Sequence, residues 1–187
     1  MRFYMGLIHF PVYNKNYERI ASAITTLDIH DLARLAKTYD VKKLFIVTPL
    51  DDQQNLARRV LRHWIDGYGG CYNPDRKEAL ELVCVVPELD RAVAEIKDIE
   101  GEPPVIIATD ACIQKDRSMS YGRARAIIQE NRVVFLIFGT AWGLHEEIMR
   151  QTDNVLAPVS GKMGYNHLSV RTAAAIILDR LVGGEDN

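Results

Sequence analysis

FGTAWGL at residues 138–144 and PVSGKMGYNHLSVRTA at residues 158–173 are two glycine-bearing turns in the last third of this 187-residue chain. Each follows a short apolar run that reads as a buried strand, and each leads into a helical pattern. Backbone N–H and C=O groups left free by such turns, at the carboxyl ends of neighbouring strands, are where open α/β sheets hold ligands.

Working outward, apolar runs recur as FYMGLIHF (3–10), KLFIVT (43–48), LVCVV (82–86), VIIAT (105–109), VVFLIFG (133–139) and NVLAP (154–158). Most are continuous rather than alternating, the pattern of strands buried on both faces. Helical stripes lie between them. Leu56, Val60, Leu61, Trp64 and Ile65 share one face behind the capping Asp51 and Asp52, and Leu89, Val93 and Ile96 form another stripe after Pro87. Residues 120–130 and 168–182 are two more, the second stopped at Gly183. Six strands alternating with helices predict a mostly parallel sheet covered on both faces. With 48% hydrophobic and 26% charged residues the chain supports one core, so one domain over 1–183 is expected, with 184–187 as a short acidic tail.

Several function classes are excluded by what is missing. The first strand is followed by PVYNKN, without glycine, so the dinucleotide fingerprint is absent, and SGKMG at 160–164 lacks the spacing of a Walker loop. Neither a nucleophile elbow nor a zincin motif occurs, and His145-Glu146-Glu147 reads as the first turn of a helix, where acidic residues suit the macrodipole. Cys71, Cys84 and Cys112 are odd in number with no paired spacing, which argues against disulfides or a metal site and for a reducing, cytoplasmic setting. Residues 1–12 lack the pattern of a leader, and no run is long enough to span a membrane. A net charge of -2 means that any nucleic-acid partner is held by a local patch or by a groove shared between subunits.

The two turns together resemble the second and third motifs of the SPOUT-class RNA methyltransferases, a small bacterial branch in particular, and YNPDRKEAL (72–80) and ATDA (108–111) are similar to that branch as well. The resemblance implies S-adenosylmethionine (SAM) as methyl donor, with S-adenosylhomocysteine as product, a transfer or ribosomal RNA as acceptor, a homodimer, and no metal or membrane. It also implies a deep trefoil knot, which general topology would reject. The implied cofactor contacts come from the loops after the last three predicted strands in the sheet: Thr109; Phe138, Gly139, Thr140, Trp142, Gly143 and Leu144; Leu156, Pro158, Tyr165, Asn166, His167, Leu168 and Ser169.

The residue chemistry fits that assignment. Leu156, Pro158 and Leu168 can make an apolar slot for adenine, and Gly139 and Gly143 let the backbone approach a ligand. Ser169 and Asn166 serve equally as caps of the last helix, His167 equally as a backbone-bonded loop residue, and Trp142 either stacks on a base or packs on a second subunit. On the acceptor side, Thr26–Val47 is loosely similar to the first motif of the 2'-O-methylating branch: Arg34 matches its arginine, but Asp28 stands where that branch has asparagine. Asp110 is the alternative proton acceptor. Arg117, Arg123 and Arg125, with Lys115, are the expected RNA contacts, and Arg58, Arg59, Arg62 and His63 form a second basic group. Two other readings remain: a SAM- or RNA-binding protein of this fold without transferase activity, and an unknotted flavodoxin-like enzyme.

Overall fold

The structure is a computed structural model and describes residues 1–114, 117–163 and 165–184. Lys115, Gly164 and the end of the acidic tail, 185–187, lie outside the described residues. The chain opens with strands β1 (Phe3–Ile8), β2 (Val12–Tyr13) and β3 (Arg19–Ile20), then helix α1 (Thr26–Thr38), β4 (Leu44–Val47) and α2 (Asp51–Ile65). Two short helices follow, α3 (Tyr68–Tyr72) and α4 (Pro74–Leu80), before β5 (Val83–Val86), α5 (Leu89–Glu100) and β6 (Val105–Thr109). The remainder is β7 (Ser118–Met119), α6 (Tyr121–Gln129), β8 (Val134–Gly139), α7 (Glu146–Met149), β9 (Asn154–Leu156) and α8 (Val170–Val182).

Seven strands form one sheet in the order β5-β4-β1-β8-β6-β9-β7, every neighbouring pair parallel, while β2 and β3 make a separate antiparallel pair. All six expected strands are in that sheet; the expectation of about six misses β7. A two-residue strand carrying a serine gives no apolar run, and it is held by main-chain pairing of Ser118 with Val155 and Met119 with Leu156. Side chains of β1 alternate between two cores, Phe3, Met5 and Leu7 on one face and Tyr4 and Ile8 on the other. Ile29 of α1, Ala57 of α2, Leu80 of α4, Ala124 of α6 and Leu178 of α8 close the first core. Leu89, Ala92 and Ile96 of α5 with Ile148 of α7 close the second. The central strands β1 and β4 are wholly buried and the edge strand β5 mostly half-buried, as continuous apolar runs require.

At the amino-terminal end of the sheet, Glu100 ends α5 with a side chain only 6% exposed. It accepts from Arg2 Nε at 2.7 Å, Lys42 Nζ at 2.7 Å and the Tyr4 hydroxyl at 2.5 Å. One carboxylate thus joins β1, the turn before β4 and α5. No helix among the described residues is long and apolar enough to cross a membrane.

Candidate functional site

β1 leads outward to β4 and β5 on one side, and its other neighbour is β8, so the winding reverses between β1 and β8. Ligand crevices of open parallel sheets lie at the carboxyl ends of strands at such a reversal. His9 and Gly139-Thr140 stand there, and the loops after β8, β6 and β9 leave three adjacent strands beside it. The two glycine-bearing turns therefore leave the same end of the sheet from β8 and β9, on either side of β6.

The FGTAWGL loop is pinned to the segment after β1. Thr140 donates its amide and hydroxyl to Ile8 O, Trp142 N–H donates to Tyr13 O at 3.0 Å, Tyr13 N–H donates back to Gly143 O at 3.0 Å, and His145 N–H donates to Pro11 O. Gly143 has φ +105, and a Cβ there would meet nothing within 4 Å: its side faces open space. Gly139 is different. A Cβ on it would lie 2.8 Å from Leu144 N and 3.1 Å from Gly143 C, so its missing side chain makes room for the returning loop. Phe138 and Leu156 are each 1% exposed and belong to the first core, leaving only their main chain for a ligand. Leu144 is buried in the second core. Trp142, Tyr165 and Leu168 are exposed, and the Tyr165 and His167 rings meet edge to face at 5.4 Å.

The other two loops are tied together. Thr109 Oγ1 donates to Ile137 O across the strands, and Asn166 Nδ2 donates to Ala111 O at 2.7 Å. Asp110 accepts from Cys112 N and from Gln114 Nε2, folding its own loop back. Half-buried Pro158 follows β9. Ser169 is the N-cap of α8, accepting from Thr172 N at 3.2 Å.

Arg34 lies on the exposed side of α1 and lines a cleft of about 520 Å³ with Asp31, Ser169, Arg171 and Thr172; Asp110 is not part of that lining. Asp28, 6% exposed, accepts from Arg171 Nη1 at 2.6 Å and from Thr25 Oγ1 at 2.6 Å, and Arg171 Nε also meets Asp31 at 3.2 Å. The first turn of α8 is thereby clamped to α1. Of the basic residues expected at RNA, Arg117 is half-buried and gives its guanidinium to Met149 O and to both oxygens of Thr152. Arg123 faces Glu130 at 3.9 Å, and Arg125 donates to Arg180 O.

Sequence reasoning misses a polar chain at the strand reversal. His9 Nδ1 lies 3.0 Å from Ser22 Oγ, which lies 2.6 Å from Thr140 Oγ1. The Thr140 hydroxyl donates to Ile8 O, so it accepts from Ser22, and Ser22 in turn accepts from His9 Nδ1–H. Nε2 is then the unprotonated nitrogen; it is buried, with no partner among the described residues. Burial pushes the His9 imidazole down to about 4, against the opposing charge of Asp28. Between the ordinary value of 6.5 and 4 the unfolded chain holds the extra proton, so stability is full above 6.5 and falls as pH falls through that window. His9→Asn keeps an N–H for Ser22 and removes the titration. The stability difference between about pH 5 and about pH 7.5, read from urea midpoints, is expected to shrink in this variant. An undiminished difference would take the slope away from His9.

A family model described as SAM-dependent RNA methyltransferase matches residues 2–183. The chain belongs to that family. A tRNA (guanine-N(1)-)-methyltransferase of Oleidesulfovibrio alaskensis is 43% identical over 180 residues, which are 96% of this chain and 42% of that protein. This chain thus spans less than half the length of that relative and of a similarly named one from Nitratidesulfovibrio vulgaris. A protein of Aquifex aeolicus, described as uncharacterized, is 36% identical over 95% of this chain and 87% of its own length. Among solved structures, TrmJ from Z. mobilis superposes with a TM-score of 0.63 at 16% identity, covering 98% of this chain and 69% of that one. The SpoU methyltransferase AviRb from Streptomyces viridochromogenes, in complex with the cofactor AdoMet, gives 0.57 at 18%, covering 97% and 60%. At such identities the likeness is one of fold.

Proposed function

We propose that this chain binds SAM at the loops after β6, β8 and β9 and methylates a transfer or ribosomal RNA as a cytoplasmic homodimer. The observation that carries the reading is the tie between the loops after β6 and β9, Asn166 to Ala111, together with the open face of Gly143 in the loop after β8, within a chain of this family. A trefoil knot is part of it. β9 lies between β6 and β7, so the segment joining β6 to β7 bridges across β9, and the chain leaving β9 carries Asn166 back to that segment. Residues 1–183 form one domain in this reading.

The donor, when bound, supplies an electrophilic methyl on a sulfonium. The residues then have separable tasks. Main-chain groups of 139–144, 156–163 and 165–168 fit an adenosine edge, with Leu168 and Pro158 as its apolar walls. Trp142, exposed on the same loop, is free to stack on a base or to pack on a second subunit. Gly143 keeps its side of the loop clear. Arg34 sits beside the Ser169 cap, where a guanidinium orients an acceptor strand and offsets charge there. For Arg34→Ala we expect SAM affinity within about twofold of wild type and turnover down by at least about 100-fold. Full activity would remove Arg34 from the mechanism.

A second reading, SAM binding without transfer, is favoured by Asp28: its carboxylate is committed to Arg171 and Thr25. Calorimetry with SAM followed by methyl incorporation into bulk transfer and ribosomal RNA separates the two. No heat with SAM sinks both, and heat without incorporation leaves the second.

A further inference from the structure

We infer that the face formed by α2, α3 and α4 is a second RNA-docking surface, on which Tyr68 and Tyr72 stack bases while Arg58 and Arg62 meet phosphates. The inference rests on the proposed RNA substrate and extends it to a region that the cofactor loops do not use.

The short helix α3, YGGCY, is built inside out. Its glycines are buried, while Tyr68 and Tyr72 are 76% and 75% exposed. A Cβ on Gly69 would lie 2.7 Å from the Trp64 ring, so the glycine lets the helix rest flat on that tryptophan and turn both tyrosines outward. Spaced i, i+4, they share one face, with ring centroids 6.2 Å apart and planes 26° apart. Two large aromatic rings held parallel in water have a use when other flat rings are to be met.

Charge selects the kind of partner. The chain is net negative, yet Arg58, Arg59 and Arg62 sit exposed on α2, and Arg76 of α4 lies over Trp64 at 4.6 Å. None of the four takes part in an ion pair among the described residues. Arg58 and Arg62 line a groove of about 420 Å³ that ends at Ile65 and Asp66, directly before α3. The acidic residues of these elements and their caps are Asp51 and Asp52 at the far start of α2, Asp66, Asp75, and Glu78 and Glu81, which pair with Lys37 and Lys77. Arginines of α2 and α4 without ion-pair partners among the described residues, and the exposed stacked tyrosines of α3, which joins these helices, suit a single-stranded polyanion with stacking bases.

The test uses the whole chain and bulk transfer RNA. Tyr68→Ala with Tyr72→Ala is expected to weaken RNA binding by about tenfold or more. The matching pair of Phe substitutions keeps it within about twofold, because the ring face is what binds. Arg58→Gln with Arg62→Gln lowers the slope of log affinity against log salt by about two. SAM affinity and circular dichroism stay as in wild type throughout. If wild type binds RNA and the double Ala variant binds it equally well, this surface is refuted and the substrate reading stands. If wild type binds no RNA, both fall. A change in sedimenting mass at unchanged RNA affinity means that the tyrosines cover a second copy of the chain, which also overturns the inference.

Discussion

Gly139→Val is expected to weaken SAM binding by at least about 100-fold, equivalent to roughly 3 kcal/mol, and to lower the melting temperature as well. The cause is not occupation of ligand space, the reason a glycine at a strand end first suggests. A Cβ at 139 meets Leu144 N at 2.8 Å and Leu144 Cγ at 3.0 Å, so valine forces the FGTAWGL loop off its bed. That bed is specific: Trp142 and Gly143 exchange main-chain hydrogen bonds with Tyr13, and Leu144 bridges to Val12. Loss of them shifts the backbone groups that face the cofactor and uncovers Leu144, an apolar residue of the second core. Gly143→Ala is the control. Its Cβ finds open space, but φ +105 is a conformation that side chains rarely adopt, so it strains the loop without a clash and weakens SAM binding less. Calorimetry and melting curves on both variants check the ordering. Unchanged SAM affinity in Gly139→Val would move the site to another part of the sheet.

Much of this architecture is written in local pattern. Continuous apolar runs mark β1, β4, β5, β6, β8 and β9 because strands buried on both faces need no polar side. β7 is invisible to that logic, since main-chain pairing alone creates it. The helix α4 carries an ordinary start signal that a search for apolar stripes passes over: Asn73 caps it through Arg76 N, and Pro74 takes its first turn within YNPDRKEAL. The site divides similarly. Glycines announce the loops, yet a sequence cannot say which atom a missing Cβ would meet, and Gly139 and Gly143 differ in that respect. Nor can it pair residues far apart along the chain. Ser22 reaches Thr140 across 118 positions and Arg171 reaches Asp28 across 143, so the chain from His9 to the loop and the clamp from α1 to α8 emerge only in three dimensions. The same holds for Arg117, which reads as a basic surface residue and is instead committed to carbonyls 32 and 35 positions on.

Glu100→Ala is expected to cost about 2 kcal/mol of folding stability, the scale for leaving a buried hydroxyl without its acceptor and breaking partly exposed ion pairs, or roughly 4–8 °C in Tm for a chain of this size. Removal of the carboxylate leaves the hydroxyl of Tyr4, a residue with no exposed surface, without its acceptor, and frees Arg2 and Lys42 from the amino-terminal end of the sheet. Burial alone would raise the Glu100 pKa; the bonds from Lys42, Tyr4 and Arg2 outweigh it and hold the group at about 2. The unfolded carboxyl titrates near 4.5, so the contribution is complete above that pH and is lost as pH falls towards 2. Glu100→Gln separates charge from shape: it keeps an oxygen for Tyr4 and loses the ion pairs, and is expected to recover about half of the deficit. Urea unfolding of the three proteins from about pH 7 down to about pH 3 measures both effects. The wild-type advantage over Glu100→Ala should narrow only below about pH 4.5, at the lower edge of the window assigned to His9. If it narrows between 6.5 and 4.5 instead, the carboxylate is not the group that carries it.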